Sequence, residues 1–207
     1  ILVQNASTVG LLDLKILQGK KEKSSSFFDD LKNRKFKLLY LLGSDNLEFQ
    51  KNDEFIVYQG SHGDRGANIA DVVLPSPAYT EQNGLFSNLE GRIQECRKAS
   101  YPIGSSKEDW LIFSSILKSM GHDELFKSFL ALRKQTLNQI KNFSKINQLP
   151  VKSQFLETKK EKTSFYDEEI NIKKIDYYFS NAISRSSKTM SDCRRIRSDE
   201  VNKATGT

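Results

Sequence analysis

The sequence predicts an α/β fold, in which a layered domain with a parallel sheet is followed by amphipathic helices and an extended C-terminal arm. Three observations carry that expectation. Residues 36–43, 55–58 and 69–74 are short, nearly continuous apolar runs, stopped by Gly43, by Gln59-Gly60 and by Pro75. Runs that short and that apolar suit strands covered on both faces, as in parallel sheets. Polar loops rich in glycine separate them, and strands spaced by such loops argue for α/β architecture. Beyond Pro102 the apolar period changes to three and four residues, the spacing of helices with one buried side. The α/β domain with its helices is placed at residues 1–148 and the arm at 149–207.

Residues 5–17 read as a short helix, with Ser7 or Thr8 as cap and Val9, Leu12 and Ile16 at helical spacing. Gly19 ends it, and a charged, serine-rich loop follows. Residues 27–32 form a second short helix carrying Phe27, Phe28 and Leu31. The three strands come next, but their connections, 44–54 and 59–68, barely reach the dozen residues that a parallel crossover normally takes. Either the crossovers are single helical turns or the strands are not all neighbours.

Ser105 or Ser106 is expected to cap a helix with Trp110, Phe113, Ile116, Leu117 and Met120 on one face and Gly121 at its end. Burying those five would contribute roughly 1.5–3 kcal/mol each before entropy is counted. Asp123 is expected to cap a longer helix over 124–146, with Leu125, Phe129, Leu132, Ile140 and Phe143 as its apolar positions. After Pro150 the chain is charged and loses its period. Such a tail buries little by itself and is expected to pack as an extended arm with short helices.

Lys and Arg number 32 against 26 Asp and Glu, a net charge of +6. The charges are interleaved, and no zinc finger, RNP motif or basic helix concentrates them, so nucleic acid is not expected as a partner. Mean hydropathy is −0.55, and no run approaches the roughly 20 apolar residues needed to cross a bilayer. Ile1-Leu2-Val3-Gln4-Asn5 carries no pattern of a secretory signal, and a start at Ile is expected of a processed or incomplete polypeptide. Heavy use of Lys, Asn, Ile, Phe and Ser hints at AT-rich, organelle-encoded coding. Two cysteines, Cys96 and Cys193, cannot supply a four-thiolate iron–sulfur site or a Cys-only zinc site, and they read as reduced thiols. His62 and His122 share no ligand spacing. Neither a metal site nor a catalytic residue is expected in this chain.

Residues 71–94 have the pattern of a working edge. An apolar strand stopped by Pro75 and Pro77 empties into a loop dense in hydrogen-bonding groups, among them Glu81, Asn88, Glu90 and Arg92. The competing reading is a stiff surface loop whose polar groups satisfy one another. The glycines at 60, 63 and 66 would let backbone N–H groups approach an anion, with Arg65 adding charge. Their spacing matches neither the dinucleotide fingerprint nor the P-loop, and the segment reads as a tight structural turn. His62 reads as a hydrogen-bonded loop residue, because no Ser, Cys or acid partner stands at a recognisable spacing.

Four stretches together carry a family resemblance: Leu38-Leu-Tyr-Leu-Leu-Gly43 with Asp45; Phe55-Ile-Val-Tyr-Gln-Gly-Ser-His-Gly-Asp64 running on to Ile69-Ala-Asp-Val-Val-Leu-Pro75; Ala78-Tyr-Thr-Glu81 with Asn88-x-Glu-Gly-Arg92-x-Gln94; and Glu108-Asp-Trp110. Ile183-Ser-Arg-Ser-Ser-Lys-Thr-Met190 adds to it. In this order, they resemble the C-terminal part of the large iron–sulfur subunit (the bacterial G subunit) of respiratory complex I, NADH:ubiquinone oxidoreductase, most of all its mitochondrial form. That part is similar to molybdopterin-dependent oxidoreductases such as formate dehydrogenases.

The resemblance implies a Rossmann-like layered domain of the molybdopterin oxidoreductase type. In those enzymes the strand-Pro and Glu-Gly-Arg segment helps to hold the pterin, and the complex I form is understood to keep the fold without the cofactor. Glu81, Asn88, Glu90 and Arg92 are therefore expected to be a structural relic of a cofactor edge, with no cofactor bound by this chain. The family's cluster-binding cysteine motifs are absent here, so the iron–sulfur clusters are expected on a partner N-terminal polypeptide of a split subunit. The implied setting is the matrix side of the mitochondrial inner membrane, among the other peripheral-arm subunits. The alternative is a catalytic fragment that still binds a molybdopterin.

Overall fold

The computed structural model describes residues 7–16, 27–47, 49–140, 143, 145–149 and 176–205. Helices α1 (Thr8–Asp13) and α2 (Phe27–Lys32) precede strands β1 (Leu38–Leu42) and β2 (Phe55–Gly60). Helix α3 (Arg65–Ile69) then leads into β3 (Val72–Pro75), and β4 (Gly84–Ser87) and β5 (Ile93–Cys96) follow. Four more helices complete the order: α4 (Asp109–Ser119), α5 (Phe129–Gln139), α6 (Ala182–Ser186) and α7 (Lys188–Thr205), with a 3-10 turn at Tyr177–Phe179 before α6.

Strands β1, β2 and β3 are neighbours in one parallel sheet. Leu38 pairs with Phe55 and Leu42 with Gln59, while Val57 pairs with Val72 and Gly60 with Pro75. The short connections are resolved in two ways. The β2–β3 crossover is the single helical turn of α3, and the β1–β2 connection holds no helix among the described residues.

Alternation along the strands puts Leu39, Leu41, Ile56 and Tyr58 on one face, where they form a core with Leu31 of α2. Phe36, Leu47, Phe49, Ala67 and Ile69 close around it. Gly66 of α3 must lie against this core. A Cβ there would stand 2.7 Å from the Ser44 carbonyl oxygen and 2.9 Å from the Tyr58 ring.

The other face of the sheet is met by α4, and here the structure corrects the sequence reading. Neither Ser105 nor Ser106 caps this helix. It begins at Asp109 with Glu108 in the cap position, which makes no side-chain cap bond. Its inward residues are Asp109, Ile112, Phe113 and Ile116, an i, i+3, i+4, i+7 set. Ile112 is its buried residue, Phe113 stacks on Tyr40 with ring centroids 5.6 Å apart, and Met120 is exposed. The apolar face is thus turned from the expected one, because Asp109 bonds to the sheet while the Trp110 indole N–H donates to Glu108 at 2.8 Å.

Helix α5 is likewise shorter than its periodicity suggests. Ser128, not Asp123, caps it by accepting from the Ala131 N–H at 3.3 Å, and Leu125 is exposed. Residues 84–94, read as loop from the sequence, belong to the antiparallel β4–β5 hairpin, which runs on to Cys96. The arm is more helical than its composition suggests, since α7 runs 18 residues. The expected arm over residues 151–175 lies outside the described residues.

Gly66→Ala is expected to destabilise the fold by about 1–3 kcal/mol, because backbone and a buried ring cannot give way cheaply. A lowered urea midpoint with unchanged slope checks this.

Candidate functional site at the carboxyl edge of the sheet

All three parallel strands run out at one edge, where open α/β sheets place their ligands. A cleft there is lined by Gly43, Asp45, Gln59, Gly60, Ser76 and Asp109, among others. Three side chains on the strands themselves carry its chemistry. Gln59 is fully buried at the end of the central strand. Its amide nitrogen donates to Asp109 Oδ1 at 2.6 Å, and its amide oxygen accepts from the Tyr40 hydroxyl. Tyr58, also fully buried, donates its hydroxyl to Asp45. Burial first, then the hydrogen bond to Asp45 and its charge, raise the Tyr58 pKa far above the usual 10.0.

The glycine-rich loop after β2 turns through Gly63 and Asp64, both at positive φ, 75° and 68°. Asp64 receives the Nε–H of Arg185 at 2.6 Å, and the same guanidinium stands 3.9 Å from Asp45. Arg185 belongs to α6, whose start is preset by a capping box between Asn181 and Ser184. The arm thereby reaches back 121 residues to the sheet edge. His62 stands beside Ser61 on the exposed loop, with 2.8 Å between Oγ and Nδ1.

The residues singled out by sequence lie elsewhere and do other work. Asn88 Oδ1 accepts the backbone N–H groups of Glu90 at 3.0 Å and Arg92 at 2.9 Å, while the Asn88 carbonyl accepts from Gly91. These three residues are therefore brought together as the turn of the β4–β5 hairpin, with Gly91 at a φ of 81°. The Asn88 amide reaches Glu90 at 3.5 Å. Arg92 takes part through its backbone, and its buried Nε finds no hydrogen-bond partner among the described residues. Glu81 closes a separate turn by accepting the Ala78 N–H at 3.0 Å. Sequence reasoning missed Tyr40, Tyr58, Gln59 and Asp109 as a group. The available signal was three polar groups inside otherwise apolar strands.

The parallel sheet with helices against it defines a layered α/β domain. The chain belongs to the molybdopterin oxidoreductase family, whose sequence profile matches residues 1–119. A second profile, the C-terminal region of the NADH-ubiquinone oxidoreductase G subunit, matches residues 140–193. The chain is 38% identical over 198 residues to the NADH-quinone oxidoreductase G subunit of Rickettsia felis, covering 93% of this chain and 27% of that protein. Identity is 36% to the NADH-ubiquinone oxidoreductase 75 kDa subunit of Reclinomonas americana, over 95% of this chain and 28% of the relative. It is 34% to the mitochondrial 78 kDa subunit of Candida albicans, over 93% and 27%. The chain thus spans little more than a quarter of the length of these relatives.

The carboxylates of this edge are electrostatically unfavourable to the anionic pterin that the family name implies. An anion needs free donors, whereas the side chains facing the cleft present Asp45 and Asp109, with Asp64 close behind. Three strong donors nearby are held, Gln59 by Asp109, Tyr58 by Asp45 and Arg185 by Asp64, while Ser76 and Gln82 also line the cleft. Even the loop N–H of Gly66 is bonded, to the Asp45 carbonyl at 3.1 Å.

Two outcomes follow from this network. Arg185→Ala is expected to cost about 1.5–3 kcal/mol and to free the arm, read as new cleavage around residues 176–187 in limited proteolysis. Tyr58 has a raised folded pKa, so its contribution is complete below the unfolded value near 10 and is lost as pH rises above it. Urea midpoints should accordingly hold to about pH 9–10 and then fall, and Tyr58→Phe should flatten that alkaline limb.

Proposed function

We propose that this chain is a structural, cofactor-free part of the large iron–sulfur subunit in the peripheral arm of NADH:ubiquinone oxidoreductase. It supports NADH-to-quinone electron transfer by scaffolding, on the matrix side of the mitochondrial inner membrane, and contributes no catalytic residue of its own. The iron–sulfur clusters are held by the N-terminal, cluster-bearing part of the same subunit, which we take to be a separate polypeptide. One observation carries this reading. At the sheet edge of a molybdopterin-type domain, the buried amide, the buried phenol and the guanidinium are all bonded to this chain's own groups. Relatives named as complex I subunits support the setting.

The deciding experiment is metal and pterin analysis of the purified assembly. Co-purification with flavin- and cluster-bearing subunits and no molybdenum or pterin on this chain is expected. Stoichiometric molybdenum or pterin would return the chain to the catalytic alternative. Mass spectrometry of the same assembly checks the cluster-bearing part, expected as its own polypeptide.

Asn88→Ala removes the acceptor that holds the hairpin turn, at about 0.5–1.5 kcal/mol. It is expected to lower the amount of assembled complex, measured on native gels, while electron transfer per assembled complex stays near normal. Normal assembly with abolished electron transfer would count against a structural role.

A further inference from the structure

Two edges of the three-stranded sheet are available, and they differ. Ser76 N–H donates to the Gly60 carbonyl, so alternate β3 residues Val73 and Pro75 direct their backbone groups away from β2. Pro75 has no N–H, and its carbonyl already accepts from Lys107 N–H at 3.3 Å. That edge is closed in the way natural sheets close edges.

The β1 edge is different. Phe55 N–H donates to the Lys37 carbonyl and Gly43 N–H to the Gln59 carbonyl, so odd-numbered residues of β1 face β2 and Leu38, Tyr40 and Leu42 turn their backbone groups outward. Among the described residues no strand pairs with them. The strand Leu38–Leu42 has no charge, proline or bulge. Leu38 is 57% exposed and Leu42 53%. None of the usual devices that protect an edge is present on the strand itself.

We propose that the free edge of β1 is an interaction surface completed by a parallel strand from the part of the large iron–sulfur subunit that lies outside this sequence, by strand addition. This rests on the assignment of the chain to that subunit. Close to three quarters of each relative lies beyond the region matched, and three strands are few for a parallel sheet. A second copy related by a two-fold axis would present β1 to itself antiparallel. The sheet is parallel throughout, the kind that is extended and buried by further strands of the same kind. In a split subunit, this pairing would join the two polypeptides.

The test uses the assembled complex. Amide-resolved hydrogen exchange is expected to find the outward N–H groups of Leu38, Tyr40 and Leu42 slowed roughly 100-fold or more relative to an open edge, in line with those of Leu39 and Leu41. A photo-crosslinker in place of Leu38 is expected to capture a peptide from the cluster-bearing part of the subunit. Fast exchange at the three outward amides, or capture of residues 151–175 of this chain or of a second copy, overturns the proposal and leaves complex membership intact. Absence of this chain from the complex overturns the function proposed above, and this inference with it.

Discussion

A side-chain amide buried at the end of a central strand must have both of its ends bonded, since an unmet buried polar group costs roughly 1–3 kcal/mol. Gln59 is that residue here. Its oxygen is met by Tyr40 from the neighbouring strand and its nitrogen by Asp109 from α4. The second bond fixes more than a pair of atoms. Once Asp109 must face the sheet, helical geometry places Ile112, Phe113 and Ile116 on the same side, and these meet Tyr40 and the end of β3. Trp110 is then turned away, toward Glu108 and a second cavity beside the hairpin and α5. One polar constraint thus decides which apolar residues of α4 face the sheet, of which Ile112 is buried.

The same edge holds three carboxylates, each with its own donor: Asp45 with Tyr58, Asp109 with Gln59, and Asp64 with Arg185. Such networks are stabilising when complete and expensive when broken. The Arg185 contact closes a very long loop, but closure entropy grows only with the logarithm of loop length, so sequence distance is a small obstacle. What matters is that α6 is already formed by its capping box and presents the guanidinium in place. Among the described residues of the arm, 176–198 include no buried side chain, and Arg185 makes the charge contact to the sheet edge.

The three strands were legible because Leu38–Leu42 and Phe55–Tyr58 are apolar at successive positions, but only one face is buried along their length, and Leu38, Leu42 and Phe55 on the other face are exposed among the described residues. Helix ends were less legible. Ser105, Ser106 and Asp123 are good capping types, yet α4 begins where Asp109 bonds across to the sheet and α5 where Ser128 supplies the local cap. The β4–β5 hairpin was hidden because its strands are four residues each, and Asn88 to Arg92 resembles a ligand loop when only residue types are known. The edge network was not legible at all as a network. Tyr40, Tyr58 and Gln59 stood out in sequence only as ordinary strand residues, and nothing in their spacing points to Asp109 or Arg185.

Glycines near a strand end can serve a ligand or serve packing, and the two uses look alike in sequence. In an anion site the glycine frees backbone N–H groups for the ligand. In this chain Gly66 is required because the Tyr58 ring and the Ser44 carbonyl lie where a side chain would be, and its N–H is bonded within the fold. Tyr58 in turn is buried because it must donate to Asp45. The glycine-rich loop, read from sequence as a tight structural turn, is shaped from inside by a phenol and a carboxylate. The side chains that fill this sheet edge fix the position of α4 and of Arg185 in the arm. Along β1, by contrast, the outward backbone groups meet no strand among the described residues.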